Sequence, residues 1–211
     1  MKKFLSLSLI VLLCMGMLTG CGGGGTANNG DNATAIKVGG TGPLTGGAAI
    51  YGIAVKQAAE MAVEEVNAKG GLQFELKYED DANDAEKAVN AFNNLIDWGM
   101  QISLGSVTST PGTATSDLSQ ENKIFTITPS GSSTKVIEGK DNVFQMCFTD
   151  PNQGTASAQY ISEQNLATKI AVIYKNDDVY STGIYEKFME KANELGLDVV
   201  SVSTFTTDSQ N

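Results

Sequence analysis

The chain has no histidine, and none of its 14 basic residues is an arginine. Histidine is the usual general base for serine and cysteine nucleophiles and a common zinc ligand, and arginine is the residue best suited to clamp a phosphate. The sequence also lacks the G-x-S-x-G turn that exposes a serine nucleophile. These absences argue against a hydrolase, a zinc site and a phosphate site. We therefore predict a protein without catalysis and without a cofactor.

Positive charge is scarce as well. The 24 acidic residues outnumber the 14 lysines, which gives a formal net charge of −10, and loss of Lys2 and Lys3 by processing would take it to −12. The remaining lysines are scattered and form no basic patch. Because such a surface repels the phosphate backbone, we exclude nucleic acid as a partner.

The longest apolar run stands at the N-terminus. Lys2 and Lys3 precede an apolar stretch over residues 4–18, which is shorter than the roughly 20 residues that a membrane-spanning helix needs. The pattern is typical of a signal peptide, residues 1–20. It ends at Leu18-Thr19-Gly20-Cys21, which resembles the lipobox of bacterial lipoproteins. We predict a lipid on Cys21 that anchors the protein to the outer face of the cell membrane. The alternative is an ordinary signal peptide with a chance cysteine.

The segment behind the signal is rich in glycine and polar residues. Four consecutive glycines follow Cys21, and we expect residues 21–35 to form a flexible tether. Of the three cysteines, Cys14 would leave with the signal peptide and Cys21 would carry the lipid. Only Cys147 remains, so the mature domain has no intramolecular disulfide. We expect Cys147 to be a small buried apolar residue in a strand.

From residue 36 onward, apolar strand-like runs alternate with helical segments. The pattern predicts strands at residues 36–41, 72–78, 100–104, 124–128, 143–148, 169–174 and 197–205, with amphipathic helices between most of them. This alternation predicts an α/β fold with parallel sheets covered by helices. We assign residues 36–150 to a first lobe and residues 151–211 to the start of a second, incomplete lobe.

Ligands of open parallel sheets bind beyond the carboxyl ends of the strands. Two hydroxyl-rich loops follow the third and fourth predicted strands, at residues 105–111 and 128–134. The first loop runs into a helix at Pro111 with Thr110 as the expected N-cap, and a helix N-terminus favours an anion such as a carboxylate. Serine and threonine are also ordinary residues of turns and caps, so the loops alone leave both interpretations open.

Two other loops carry features of known binding motifs without matching them. The loop at residues 42–46 has glycines but no G-x-G-x-x-G, so no dinucleotide is expected. Asp80, Asp81 and Asp84 lack the glycine and glutamate of a calcium loop, so we predict a solvated acidic loop and no metal.

A series of motifs in order resembles the leucine/isoleucine/valine-binding proteins of bacterial ABC importers. The motifs are Gly42-Pro43-Leu44-Thr45-Gly46, Tyr51-Gly52, residues 62–71, Asp80-Asp81, residues 105–117, Ile127-Thr128-Pro129-Ser130 and Asp150-Pro151-Asn152-Gln153-Gly154. The resemblance runs from residue 36 to the end. It implies the type I periplasmic-binding-protein fold, in which two α/β lobes joined by a hinge close on a ligand. It also implies capture of a branched-chain or other neutral amino acid for delivery to an ABC permease.

The resemblance also implies roles for single residues. The hydroxyls of Ser109 and Ser132 are expected on the ligand carboxylate. The carbonyl of Ser130 and the carboxylate of Asp150 are expected on the ligand ammonium. Two tyrosines are expected at the pocket mouth and over the ligand, Tyr51 and Tyr180 respectively.

The chain departs from the family pattern at two points. Asn83 and Thr108 stand where some relatives have a disulfide, so the serine loop must be held by packing and hydrogen bonds. The chain also ends partway through the second lobe, and we expect it to behave as a fragment that binds weakly. Two other functions stay open: a sensor ectodomain for amino acids or small amides, and, less favoured, a secreted hydrolase using Ser109 or Ser130.

Overall fold

The computed structural model describes residues 35–209. The predicted signal peptide, Cys21 and nearly all of the tether lie outside the described residues. Within residues 35–209, no helix combines the length and the apolar character needed to cross a membrane.

The first region, residues 35–149, is built around one parallel sheet. Its strands and helices have the following bounds: β1 Ile36–Gly42, α1 Ala49–Ala68, β2 Phe74–Asp80, α2 Ala85–Trp98, β3 Ile102–Ser106, α3 Ser109–Glu121, β4 Phe125–Thr128, a 3-10 turn Thr134–Val136 and β5 Val143–Gln145. The strand order is β2-β1-β3-β4-β5, and all neighbours are parallel. The predicted α/β class is confirmed. After β1 the chain continues to β2 on one side of the sheet, whereas after β3 it continues to β4 on the other side. The direction in which strands are added therefore reverses between β1 and β3, and a crevice is expected there.

Helix α2 illustrates how the sequence produces these elements. Asp84 caps its N-terminus by accepting a hydrogen bond from the backbone N–H of Lys87 at 2.9 Å, and Gly99 ends it in a left-handed conformation with φ of 92°. The helix buries Phe92 and Leu95, which form the main core cluster with Met100 and Ile124. A helix with both ends defined by sequence thus fixes where β3 begins.

The second region, residues 150–209, is smaller. It contains α4 Asp150–Glu163, β6 Ile170–Lys175, α5 Val179–Glu194 and β7 Val199–Phe205, and its two strands are parallel. Helices α4 and α5 pack closely because Gly154 has no side chain. A Cβ atom there would lie 2.3 Å from the carbonyl oxygen of Ile184. Ala158, Phe188 and Ala192 form the buried cluster beneath this crossing.

Three sequence-based boundaries were wrong in ways that affect the site. Helix α3 begins at Ser109 with Thr108 as its N-cap, and not at Pro111 with Thr110 as the cap, because proline is accommodated within a first helical turn that needs no N–H there. The apolar pattern predicts the next helix over residues 185–195, but helix α5 begins at Val179, because Asp178 caps it. Strand β5 ends at Gln145, so Cys147 lies in the following connection and is only half-buried.

Candidate functional site

A cavity of about 410 Å³ opens at the carboxyl end of the first sheet, where the crevice is expected. Its lining comes from the loops after β1, β2, β3, β4, β5 and β6. The lining residues are Ala48, Tyr51, Asn83, Thr108, Ser109, Ser130, Ser132, Cys147, Phe148, Asp178 and Tyr180. Five of the six predicted ligand-binding residues therefore meet in one pocket, and Asp150 is the exception.

The N-terminus of α3 faces this pocket and has unused hydrogen-bonding capacity. Thr108 occupies the N-cap position but makes no side-chain capping bond. Its Oγ1 atom is buried and has no hydrogen-bond partner among the described residues. The first N–H groups of a helix have no partners within the helix and carry positive potential. The end of α3 can thus receive an anion.

Ser109 and Ser132 stand on the two hydroxyl-rich loops, and each side chain is buried within the pocket wall. The Ser109 hydroxyl accepts a hydrogen bond from the backbone N–H of Ser133 at 3.1 Å. This bond ties the two loops together and leaves the hydroxyl proton of Ser109 free to be donated. Two serine hydroxyls beside a helix N-terminus form a suitable receptor for a carboxylate.

Hydrogen bonds hold the second hydroxyl-rich loop in place. Thr128 Oγ1 donates to the Ser106 carbonyl at 2.7 Å and accepts from the Gly131 N–H at 2.9 Å. Gln145 Nε2 donates to the carbonyls of Gly131 and Ser133 at 2.6 and 2.7 Å. No sequence motif pointed to Gln145.

Ser130 fixes the same loop from the other side, because its hydroxyl donates to the carbonyl of Val107. The Ser130 hydroxyl therefore donates its proton within the protein and holds the loop in place. This agrees with the expected use of its main-chain carbonyl for the ligand, which stays a prediction.

The acidic pair after β2 is not the solvated loop that the sequence predicted. The carboxylate of Asp80 accepts hydrogen bonds from the Leu44 N–H at 2.7 Å, from the Ala82 N–H at 2.8 Å and from the Thr45 hydroxyl at 2.6 Å. Although partial burial raises the pKa of Asp80, these hydrogen bonds outweigh it and lower the pKa below its ordinary value. Asp80 thus joins the loop after β1, which leads to Tyr51, to the loop after β2.

Asp81 is fully buried next to Asp80, and its carboxylate accepts a hydrogen bond from the N–H of Asn83 at 2.9 Å. Asn83 has a left-handed conformation with φ of 60°, and this hydrogen bond holds it against the pocket. Burial raises the pKa of Asp81 to about 6, with the negative charges of Asp80 and Asp84 contributing in the same direction.

The two tyrosines lie at the open side of the pocket. Tyr51 is 64% exposed at the start of α1, and Tyr180 is 39% exposed in the first turn of α5. The hydroxyl of Tyr180 accepts a hydrogen bond from Gln153 Nε2 at 3.4 Å, which connects α5 to α4. Both side chains are placed to cover a ligand held by the serine loops.

Asp150 lies behind the pocket. It is the first residue of α4, its N–H donates to the carbonyl of Ser132 at 3.1 Å, and it is only 1% exposed. Burial raises its pKa, and the nearby Ser132 hydroxyl partly offsets this, while the charge of Asp178 adds to it. No hydrogen bond of ordinary geometry reaches either carboxylate oxygen within residues 35–209. The prediction that Asp150 contacts the ligand ammonium therefore has no direct geometric support.

Asp178 is the acidic lining residue that sequence reasoning missed. Its carboxylate caps α5 by accepting from the N–H and the hydroxyl of Ser181, each at 3.1 Å. The Thr110 hydroxyl on α3 donates to its other oxygen at 3.1 Å. Asp178 therefore connects the N-termini of α3 and α5 across the pocket. The available signal was its N-cap position two residues before the predicted cover residue Tyr180.

A two-region α/β fold with a polar pocket at the switch point between β1 and β3 defines a class of ligand-binding proteins rather than one protein. The chain matches the family described as "Periplasmic binding protein" over residues 35–211, and it belongs to that family.

Individual relatives narrow the class further. The chain is 33% identical over 175 residues to the Leu/Ile/Val-binding protein homolog 3 of Brucella melitensis, covering 81% of this chain and 47% of the relative. It is 32% identical over 169 residues to the Leu/Ile/Val-binding protein BraC3 of Rhizobium johnstonii, covering 78% and 46%. The chain thus spans about half the length of these relatives.

Solved structures agree with this assignment. The branched-chain amino acid transporter substrate-binding protein LivJ from Streptococcus pneumoniae, in complex with isoleucine, superposes with a TM-score of 0.78 at 28% identity. The leucine-binding protein LivK from Thermotoga maritima also gives 0.78, at 29% identity. In both cases 84% of this chain and 51% of the solved chain are covered. The resemblance and the fold predicted from the sequence are confirmed.

Proposed function

We propose that the protein captures a branched-chain or other neutral amino acid and delivers it to the permease of an ABC importer. The observation that carries the proposal is the pocket in which Ser109, Ser132 and the N-terminus of α3 converge. This arrangement supplies neutral donors for a carboxylate, and the tyrosines and Phe148 supply apolar contact area for an uncharged side chain. The pocket contains no nucleophile–base pair, which supports a role in binding and not in catalysis.

The specificity of binding follows from the charge of the lining. Among residues 35–209, no lysine lines the pocket, and the one acidic side chain in its lining is Asp178. A second carboxylate on the ligand would therefore lack a cationic partner. We expect leucine, isoleucine, valine and other neutral amino acids such as glutamine to bind and glutamate and aspartate to be rejected.

Titration of the purified chain, observed by NMR, tests this proposal. Leucine and glutamine should shift the resonances of the two serine loops, whereas glutamate should not. Isocaproamide, in which leucine's carboxylate is replaced by an amide and its ammonium by hydrogen, serves as the matched control and should bind much more weakly. If no neutral amino acid shifts these resonances at millimolar concentration, the proposal is wrong.

We further propose that Cys21 carries a lipid that holds the protein at the outer face of the cell membrane. The support is the Leu18 to Cys21 motif and the glycine-rich segment behind it. Because one acyl chain gives only marginal membrane binding, stable anchoring requires more than one chain on Cys21. Mass spectrometry of the membrane-extracted protein should find a lipidated N-terminal Cys21. A Cys21→Ala variant should lose this modification, and a mature form that begins elsewhere would contradict the proposal.

A further inference from the structure

The pocket has hydroxyl receptors for the carboxylate of a zwitterion. For the ammonium group the resemblance implies the Ser130 carbonyl and Asp150, and of these only Ser130 lines the pocket. Hydroxyls and the end of α3 serve the carboxylate. An ammonium group needs oxygen acceptors, and a negative charge inside a cleft strengthens that contact. Asp150, the residue expected in this role, is buried behind Ser132 and does not line the pocket.

We propose that Asp178 supplies the negative charge that faces the ammonium group of the ligand. Among the eleven lining residues it is the one that carries a formal charge at neutral pH. The other titratable groups in the lining are two tyrosines and Cys147, and burial raises the pKa of the Cys147 thiol, which keeps it neutral. The inference rests on the proposed function, because it assumes an amino acid as the ligand.

The position of Asp178 relative to the serine loop fits this role. Its Oδ1 atom accepts the hydroxyl of Thr110, which directly follows Ser109 in α3. In an α-amino acid the carboxylate and the ammonium are attached to the same carbon atom. A ligand whose carboxylate is held by Ser109 therefore has its ammonium within a short distance of that anchor, and Asp178 is joined to the residue next to the anchor.

The carboxylate of Asp178 is also held in a fixed orientation, and it can accept a further hydrogen bond. Ser181 fixes its Oδ2 atom with two hydrogen bonds, so the group does not have to be ordered when the ligand arrives. Its Oδ1 atom accepts one hydrogen bond among the described residues, and a carboxylate oxygen can accept two. The free site on Oδ1 is available to an ammonium donor.

The test compares leucine with 4-methylpentanoate, which is leucine without its amino group. Both ligands are titrated by NMR into the wild-type chain and into Asp178→Asn. Asparagine has nearly the same shape and is a good N-cap, so the variant removes the charge and keeps the end of α5. Asp177→Asn is the matched control, because Asp177 pairs with Lys175 and the N–H of Thr207 and does not line the pocket. Asp178→Ser, which also caps helices well, is the second charge-removing variant.

We expect Asp178→Asn and Asp178→Ser to weaken leucine binding roughly tenfold or more while the affinity for 4-methylpentanoate stays within about twofold or rises. Asp177→Asn should leave both ligands unchanged. Equal losses for the two ligands, or a selective loss in Asp150→Asn and not in the Asp178 variants, would overturn the inference alone. If the wild-type chain binds no neutral amino acid, the proposed function fails, and this inference fails with it.

Discussion

The first region supplies nine of the eleven side chains that line the pocket, and the second region supplies two, Asp178 and Tyr180. The first region has a five-stranded sheet with loops joined by buried hydrogen bonds, whereas the second has a two-stranded sheet. Its strand β7 is exposed along nearly its whole length. For the proposed function, we therefore expect the first region to provide the fixed part of the site and the second region to add contacts from the other side of the pocket.

The largest difference between the regions should appear in hydrogen exchange. Within the described part of the chain, residues 35–209, β7 pairs only with β6. Ile173, Val200 and Phe205 are exposed on these two strands, so local opening uncovers little additional apolar surface. β3 pairs on both sides and leads into a buried loop. We expect the amides of β3 to be protected at least about 100-fold more strongly than those of β7.

Hydrogen exchange with mass spectrometry checks this expectation on the purified chain. We expect ligand binding to be weak, with dissociation constants well above the micromolar range, and the amides of β7 to be poorly protected. Equal protection of β3 and β7 together with micromolar binding of leucine would remove the difference between the regions and contradict the expected fragment-like behaviour.

The second prediction concerns the first region's part in binding. Ser109→Ala removes a hydroxyl that is expected on the ligand carboxylate, and a hydrogen bond to a charged group contributes about 1.5 to 3 kcal/mol, so leucine affinity should fall roughly 10- to 150-fold. Ser133→Ala is the matched control, because Ser133 is equally buried but does not line the pocket. Calorimetry should show a small effect for the control. An affinity of Ser109→Ala within about twofold of wild type would show that Ser109 is structural.

The elements of both regions could be predicted from sequence because each depends on local patterns. The apolar spacing of α2 and the glycine that ends it, Gly99, are read within about fifteen residues of chain. The loop after β3 was recognisable for the same reason, since its hydroxyl residues are consecutive and precede a helix.

The parts of the site that were missed depend on which loops meet in space. Asp178 lines the pocket because α5 approaches α3, and Asp80 joins two loops 36 residues apart along the chain. Asp150 was expected in the pocket from its motif, yet it is the first residue of α4 and does not line the pocket. No spacing rule within one segment contains this information.

The third prediction concerns a substitution that disrupts the packing of the second region and leaves the first region unchanged. In Gly154→Ala, the added Cβ would lie 2.3 Å from the Ile184 carbonyl and 2.8 Å from the Phe188 nitrogen, so α4 and α5 must separate. We expect the second region to lose about 3 kcal/mol of stability, which is the range for overpacking a close contact. Hydrogen exchange should speed up in α4, α5 and β6 and stay unchanged in β1 and β3.

Two further glycine variants make this prediction sharper. In Gly52→Ala the added Cβ would lie 2.0 Å from the Pro43 carbonyl oxygen, so we expect this variant to destabilise the first region. Gly47→Ala is the neutral control, because no atom lies within 4 Å of its added Cβ. A loss spread evenly over both regions in Gly154→Ala would mean that they unfold as one unit.

The last and smallest effect concerns the buried carboxylate of Asp81 in the first region. Its pKa is raised from 3.8 to about 6 by burial, so the folded protein binds this proton more tightly than the unfolded chain does. Stability contributed by this group is therefore present below about pH 4 and falls as the pH rises to about 6. Asp81→Asn keeps an acceptor for the Asn83 N–H and removes this dependence. Relative to wild type, its free energy of unfolding should increase by on the order of 2 kcal/mol between pH 4 and pH 7.

The Asp80→Asn variant should change in the opposite direction. The lowered pKa of Asp80 stabilises the fold at neutral pH, and that stabilisation is lost as the pH falls. Denaturant unfolding at several pH values measures both variants. If the difference between Asp81→Asn and wild type is independent of pH, Asp81 is as solvated as the sequence suggested, and the polar loops of the first region are less tightly buried than those described here.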